Sequence, residues 1–430
     1  MIRDWHRLAP HERARIAVAA ILAAAFLIRL IYRVRLGQTD FFENGYTFFS
    51  EYAKNIVAGK GLWIAGGGYA MRPPVYPYFL ALSQLFGGTY LLVVVPQALF
   101  GAVTVACAYL IGKELFSERA GLIAAIITAF YPYYVVHDTA LQETSLVTAF
   151  SALSVYLLLC IRRSKNNIGA LAAGLTLGLT VLTRLDTLPF AITALAWLAL
   201  AGEGPRDRKL VRASLALVAF ALVVGAWLVR NDFVIGRPVL TSETGYQLWT
   251  AHNPYTFSRY PEGSMDDSRD VAFAALSPEE KQHVESLYAN ELAQNDFFLA
   301  KALDYVRENP GEALLGAVRK VAAGFSFVLN PRREAVVQAA YFLSYAPVVF
   351  LALFGMFLGR QGWREQSLIY LQVFAFIAVT SVFWAHTSHR SHLDVYLIVF
   401  AAYALDHASA AWLRAESRRK LTSNANQSHP

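Results

Sequence analysis

Apolar residues run in long blocks separated by short polar interruptions, and the block lengths set the first expectation. A helix crossing the hydrocarbon of a bilayer needs about 20 mostly apolar residues. Stretches near that length lie at 15–32, 90–111, 121–138, 143–161, 168–183, 187–201, 211–229, 338–358, 368–384 and 395–413, which predicts about ten spans. The fifth and sixth are short and flank Thr183-Arg184-Leu185-Asp186, the pattern of a tight hairpin. The run from Met1 to Ile31 has a basic flank, but no small-residue cleavage site precedes Arg33 and Arg35, so a retained first span is expected.

Two long segments break the pattern. In the first, at 33–89, Tyr46 to Val57 reads as an amphipathic helix lying in the interface, with Phe41, Phe42, Phe48, Phe49 and Tyr52 around it and Gly59-Lys60-Gly61 as its stop. A Gly66-Gly67-Gly68 turn follows, then Arg72-Pro73-Pro74-Val75-Tyr76-Pro77, whose prolines restrict the backbone before a helical stretch. The second, at 230–337, opens as irregular chain rich in Gly and Pro. It closes with helices near 278–292, 296–308 and 311–327, the first announced by Ser277-Pro278-Glu279-Glu280. The organisation expected is an N-terminal membrane module at 1–229, a small external lobe at 230–337, C-terminal spans at 338–413 and a polar tail at 414–430.

Composition agrees with lipid as part of the solvent. The chain is 56% hydrophobic and 16% charged, where a soluble protein carries roughly 25% charged residues. The net charge of +7 is not gathered on one basic domain, which argues against nucleic acid. It falls in clusters at Lys113 and Arg119, at Arg162-Arg163 with Lys165, at Arg206 with Arg208-Lys209, at Arg360 with Arg364, and from Arg414 to Lys420. With ten spans these all occupy loops on one side, which places both termini in the cytoplasm and the two long segments outside. Cys107 and Cys160 sit in apolar runs and suggest neither a disulfide nor a metal site.

The remaining charges gather at the external span ends: Asp40, Glu43 and Glu51; His137, Asp138 and Glu143; Arg184 and Asp186; Arg230, Asp232 and Arg237; His386, His389, Arg390, His392 and Asp394. Charge near hydrocarbon is tolerated where it faces a bundle interior or a cavity. A carboxylate at Asp40 or Glu43 could serve as general base towards an acceptor hydroxyl. Arginines 72, 184, 230 and 390 could hold a phosphate, with His389 donating beside them. The histidine spacing matches no zinc helix, so no dedicated metal site is expected, and a divalent-cation requirement is left open. No Walker loop or dinucleotide fingerprint is present, which favours a lipid-carried substrate over a nucleotide.

Several ordered motifs carry a resemblance. These are Asp40-Phe-Phe-Glu43 followed by the run from Ser50 to Leu62, Arg72-Pro-Pro-Val-Tyr-Pro-Tyr-Phe-Leu-Ala81, Gly178-Leu-Thr-Val-Leu-Thr-Arg184, and Trp227-Leu-Val-Arg-Asn231. Gly236-Arg-Pro, Gly245-Tyr-Gln-Leu-Trp249 with Asn253-Pro254, and the stretch from Ala302 to Pro310 followed by Lys320 complete the set. Together they resemble the integral-membrane glycosyltransferases of the GT-C superfold, in particular bacterial relatives of the protein O-mannosyltransferases (glycosyltransferase family 39) and of the aminoarabinose transferase that modifies lipid A. The resemblance implies an all-α polytopic fold in a bacterial inner membrane. It also implies transfer of a monosaccharide from a polyprenyl-phosphate donor to a hydroxyl on a glycan, glycolipid or protein, at the external face and with inversion. No cofactor is implied beyond the lipid-linked sugar phosphate itself.

By the same resemblance a first-loop acid is the base, and basic residues hold the lipid phosphate. The family's acid position is Gly45 here, so Asp40 and Glu43 stay open as alternatives, and Arg390-Ser391 stands where the family reads Arg-Tyr. His137, Asp138, Glu143, Tyr246 and Trp249 are candidates for acceptor or sugar binding. A transporter or flippase, or a non-catalytic scaffold subunit, are the rival readings; the former predicts broken helices and paired halves, the latter a dispersed acid–arginine set.

Overall fold

The computed structural model describes residues 9–66, 68–163, 167–201, 203–384 and 386–427. Gly67, Lys165 and residues 1–8 lie outside these, as do the side chains of Pro10, Arg163 and residues 417–427. The described residues form eighteen α-helices and no strand, with an isolated bridge between Ile64 and Gly68.

Every apolar block is helical. The blocks correspond to α1 (Pro10–Glu43), α4 (Tyr90–Leu115), α5 (Glu118–Phe130), α7 (Thr144–Arg163), α8 (Ile168–Thr183), α9 (Leu188–Ala201), α10 (Arg206–Ile235), α16 (Ala335–Leu358), α17 (Trp363–Val382) and α18 (Ser391–Gln427). Seven of these are long and apolar enough to cross a membrane, whereas α5, α8 and α9 are shorter. The chain is therefore a polytopic all-α membrane protein. The third block differs from expectation: the helix stops at Phe130, Tyr131 is extended, and Pro132 opens the six-residue α6 (Pro132–His137). Proline lacks the N–H that would continue α5 and disfavours helical backbone at the residue before it.

The bundle closes on α18, whose residues 391–402 are buried all round. A helix without a polar face belongs at the centre of a bundle. Small residues let neighbours approach closely: a Cβ on Gly174 of α8 would come within 2.0 Å of the Ala216 carbonyl of α10, and one on Gly355 of α16 within 2.1 Å of the Phe400 carbonyl of α18.

Between the spans lie α2 (Thr47–Val57) and α3 (Val75–Leu85) in the first long segment. In the second lie α11 (Thr244–Ala251), α12 (Met265–Ala274), α13 (Pro278–Ser286), α14 (Glu291–Glu308) and α15 (Pro310–Gly324). The expected irregular opening of this lobe is thus corrected: α11 and α12 form there, the latter started by a Ser264–Asp267 capping box. Trp249, Ala272, Leu276, Val284, Phe298 and Ala302 make the lobe's small core.

Candidate active site

A cavity of about 1000 Å³ opens where the lobe meets the span ends. One wall is apolar, built by Leu188 and Pro189 at the start of α9 and by Phe376, Val379 and Phe383 at the end of α17. The other walls carry Arg72, Glu143, Arg184, Asp186, Glu243, Asp266 and Arg269. A mostly apolar site that also carries charged groups suits a molecule with an apolar tail and a charged head.

Local structure places each charge. Arg184 is the residue at which α8 ends, in extended backbone, before a 3-10 turn at Leu185–Thr187 restarts the chain into α9. Its guanidinium donates to Asp186 Oδ2 at 2.5 Å and to the carbonyls of His389 at 3.1 Å and Ser388 at 3.4 Å, and its Nε lies 4.0 Å from Glu143 Oε1. Glu143 immediately precedes α7, and its Oε2 is buried with no hydrogen-bond partner among the described residues. Buried carboxylate oxygens are rarely left so.

Arg72 stands just before the two prolines that lead into α3. Its Nη1 is 3.3 Å from Glu243 Oε2, its guanidinium stacks over Phe48, and its Nε has no hydrogen-bond partner among the described residues. Burial would lower its pKa, but Glu243 and Glu143 more than offset that and raise it, so the cation persists. The Arg72 loop is fastened to the lobe by backbone and side-chain bonds. Ser242 N–H donates to Ala70 O at 3.0 Å, and the Thr241 hydroxyl to Met71 O at 2.8 Å. Glu291 accepts from Tyr69 N–H at 2.8 Å, from Ala70 N–H at 3.1 Å and from the Ser242 hydroxyl. On α12, Arg269 and Asp266 pair at 3.4 Å. Partial burial raises the Asp266 pKa from its ordinary value, an effect Arg269 opposes.

The structure brings together Arg72, Glu143, Arg184, Tyr246 and His389 from the expected set, all of which line the cavity. The others are placed elsewhere. Asp40 and Glu43 do not line it. Gly37, at φ 81, kinks α1 and turns its last residues back, so that Asp40 pairs with Arg33 at 2.6 Å and Asn44 at 2.7 Å, while Glu43 is exposed. Asp138 is buried against Arg29 at 2.8 Å and ties α1 to the turn before α7. His137 sits one layer back, bonded to the cavity residue Gln142 at 2.7 Å. Arg230 braces the first segment through Tyr69 O at 2.6 Å and Leu62 O at 3.3 Å. Arg390 is wholly buried between Asp394 at 2.8 Å, Gly324 O at 2.9 Å and the Tyr345 ring. Trp249 packs on Phe298 inside the lobe.

Glu243, Gln247, Asp266, Arg269 and Trp384 also line the cavity and were not singled out from sequence. The Ser264-x-x-Asp267 cap was the available signal, since it marks a helix that presents Asp266 and Arg269 at i,i+3. No group of three or more His, Cys, Asp or Glu side chains is assembled to hold a metal ion among the described residues.

Residues 71–229, which include Arg72, Glu143 and Arg184, match the family model for dolichyl-phosphate-mannose-protein mannosyltransferase. Among solved structures, the chain is similar to the oligosaccharyltransferase AglB of Archaeoglobus fulgidus in complex with an inhibitory peptide and a dolichol-phosphate. That match has 16% identity and a TM-score of 0.55, and covers 95% of this chain and 52% of that one. The apo form of the same enzyme gives 16% identity, a TM-score of 0.57 and the same 95% and 52% coverage. ArnT of Cupriavidus metallidurans bound to undecaprenyl phosphate aligns at 14% identity over 92% of this chain and 78% of that one, but at a TM-score of 0.38, too loose to bear on the fold. No curated protein matches the sequence. The chain spans about half the length of the oligosaccharyltransferase structures, and at these identities the likeness is one of fold. On that evidence the chain is a multi-pass membrane protein whose fold is like that of the archaeal oligosaccharyltransferase.

Proposed function

We propose that the chain is a glycosyltransferase that moves a monosaccharide from a polyprenyl- or dolichyl-phosphate donor to a hydroxyl acceptor within this cavity. One observation carries the reading: a cavity-lining carboxylate, Glu143, lies 4.0 Å from Arg184, with Arg72 in the same lining and an apolar surface completing the chamber. The mannosyltransferase family match over the residues that supply these groups supports it. So does the dolichol-phosphate named with the fold neighbour.

The prenyl chain would lie along the α9 and α17 ends and its phosphate between Arg72 and Arg184. Glu143 would take the proton of the acceptor hydroxyl as that oxygen attacks the anomeric carbon. The bond from that carbon to the phosphate oxygen breaks, and the polyprenyl phosphate leaves with its charge compensated by the arginines. A single displacement inverts the anomeric centre. This moves the base from Asp40 or Glu43 to Glu143, because a base must reach the proton it removes. The lobe would face the outside of a bacterial inner membrane, with the Lys and Arg clusters inside.

The test is release of polyprenyl phosphate by purified protein supplied with a panel of polyprenyl- and dolichyl-phosphate hexoses and acceptors. Glu143→Gln should cost about 100-fold or more in turnover, whereas Asp40→Asn and Glu43→Gln should stay close to wild type. Full activity in Glu143→Gln would remove it as the base, and no release from any donor would defeat the transferase reading.

A further inference from the structure

Trp384 lies in the connection between α17 and α18 and lines the cavity, and it is tied to both arginines by chains of contacts. On one side its indole Nε1–H donates to Gln247 Oε1 at 2.6 Å. Gln247 Nε2–H in turn donates to Glu243 Oε2 at 3.1 Å, the same oxygen that lies 3.3 Å from Arg72. On the other side the indole sits against His389, with ring centroids 4.9 Å apart, and the His389 carbonyl accepts from Arg184 at 3.1 Å. A side chain from the end of a span is thereby held by the lobe, by the first long segment and by the turn between α8 and α9.

The indole is held at one angle by a hydrogen bond to Gln247, which is itself bonded to Glu243. The indole here is only partly buried, and its N–H is already satisfied, which leaves its ring as the part available to a ligand. An aromatic face carries partial negative charge and attracts the polarised C–H groups on one side of a pyranose, and an immobilised ring loses little entropy on binding. Gln247, Ser388 and Thr380 line the same cavity and can meet hydroxyls at the sugar's rim.

We infer that Trp384 is the platform on which the donor's hexopyranose stacks, set at its angle by Gln247 and linked to Arg184 through His389 and to Arg72 through Gln247 and Glu243. The inference rests on the transferase reading and adds to it a residue that recognises the sugar rather than the lipid phosphate.

The experiment measures binding of full-length purified protein to two probes: polyprenyl phosphate, and the polyprenyl-phosphate hexose that wild type turns over fastest. Trp384→Ala should weaken binding of the glycosylated lipid about ten-fold, equivalent to about 1.4 kcal/mol, and leave the bare lipid phosphate unaffected. Trp384→Phe, which keeps a ring, should recover most of the loss, whereas Arg72→Ala should weaken both probes. Equal binding of the glycosylated lipid by Trp384→Ala and wild type would overturn the inference while leaving the transferase reading intact. So would parallel loss of both probes in Trp384→Ala and Trp384→Phe, since that is a structural defect. Failure of wild type to turn over or bind any such lipid would remove the transferase reading and the platform with it.

Discussion

Asp138 and Glu143 are five positions apart and carry the same charge, yet one is structural and the other faces the cavity. Asp138 is 1% exposed and meets Arg29, itself 0% exposed, at 2.8 Å. Removing one half of such a pair strands the other charge in a medium that cannot solvate it, at a cost of about 3–5 kcal/mol. Asp138→Ala should therefore lower stability by that order in detergent unfolding, while the double replacement Arg29→Met with Asp138→Leu should restore most of it. A double variant as unstable as the single one would show that the pair's charge is not what matters there. From sequence the two acids were indistinguishable, because nothing local says which side of the Ala140–Gln142 turn faces the bundle. Arg184 was easier to find, since a charge between two apolar blocks has few places to go.

At the scale of elements, Lys320 shows how the lobe is coupled to the spans. It projects from α15 and its ammonium donates to the carbonyl of Val382, the last residue of α17, at 3.0 Å. His252 Nε2 lies 3.2 Å from the same ammonium. The negative end of the α17 dipole favours the cation, but burial dominates and lowers the Lys320 pKa from 10.5 to about 8. Between those two values the unfolded chain holds the proton and the folded chain does not, so stability should rise as pH goes from about 8 to about 10.5. Thermal melts across that window should show the rise in wild type and a flattened profile in Lys320→Met; an identical slope in both would assign the effect to other groups. Block length alone was enough to find the long helices. It missed the break at Pro132, where the apolar run continues through a proline, and it missed α11 and α12, which are short and owe their burial to lobe partners rather than to lipid.

For the whole molecule, the proposed placement of the positive clusters and the lobe on opposite sides of the bilayer is testable. Both cysteines are poor targets for a surface reagent, Cys107 being buried and Cys160 partly so. A cysteine introduced as Glu285→Cys, on the exposed side of α13, should react with a membrane-impermeant maleimide in intact cells. Arg208→Cys, exposed at the start of α10, should react only after permeabilisation. Labelling of Arg208→Cys in intact cells would invert the proposed orientation.

Hydrophobic block length, the placement of prolines and the alternation of basic clusters are local properties, because lipid demands apolar length and internally bonded backbone wherever a segment crosses it. The sequence alone therefore determined an all-helical polytopic chain and the position of its long apolar helices. Which acid stands by which arginine is a matter of distant residues meeting. The kink at Gly37 carried Asp40 back to Arg33, and the lobe brought Glu243 to Arg72. Only tertiary structure could decide that, since the energy of a charge depends on the partners and solvent that surround it and not on its neighbours in the chain.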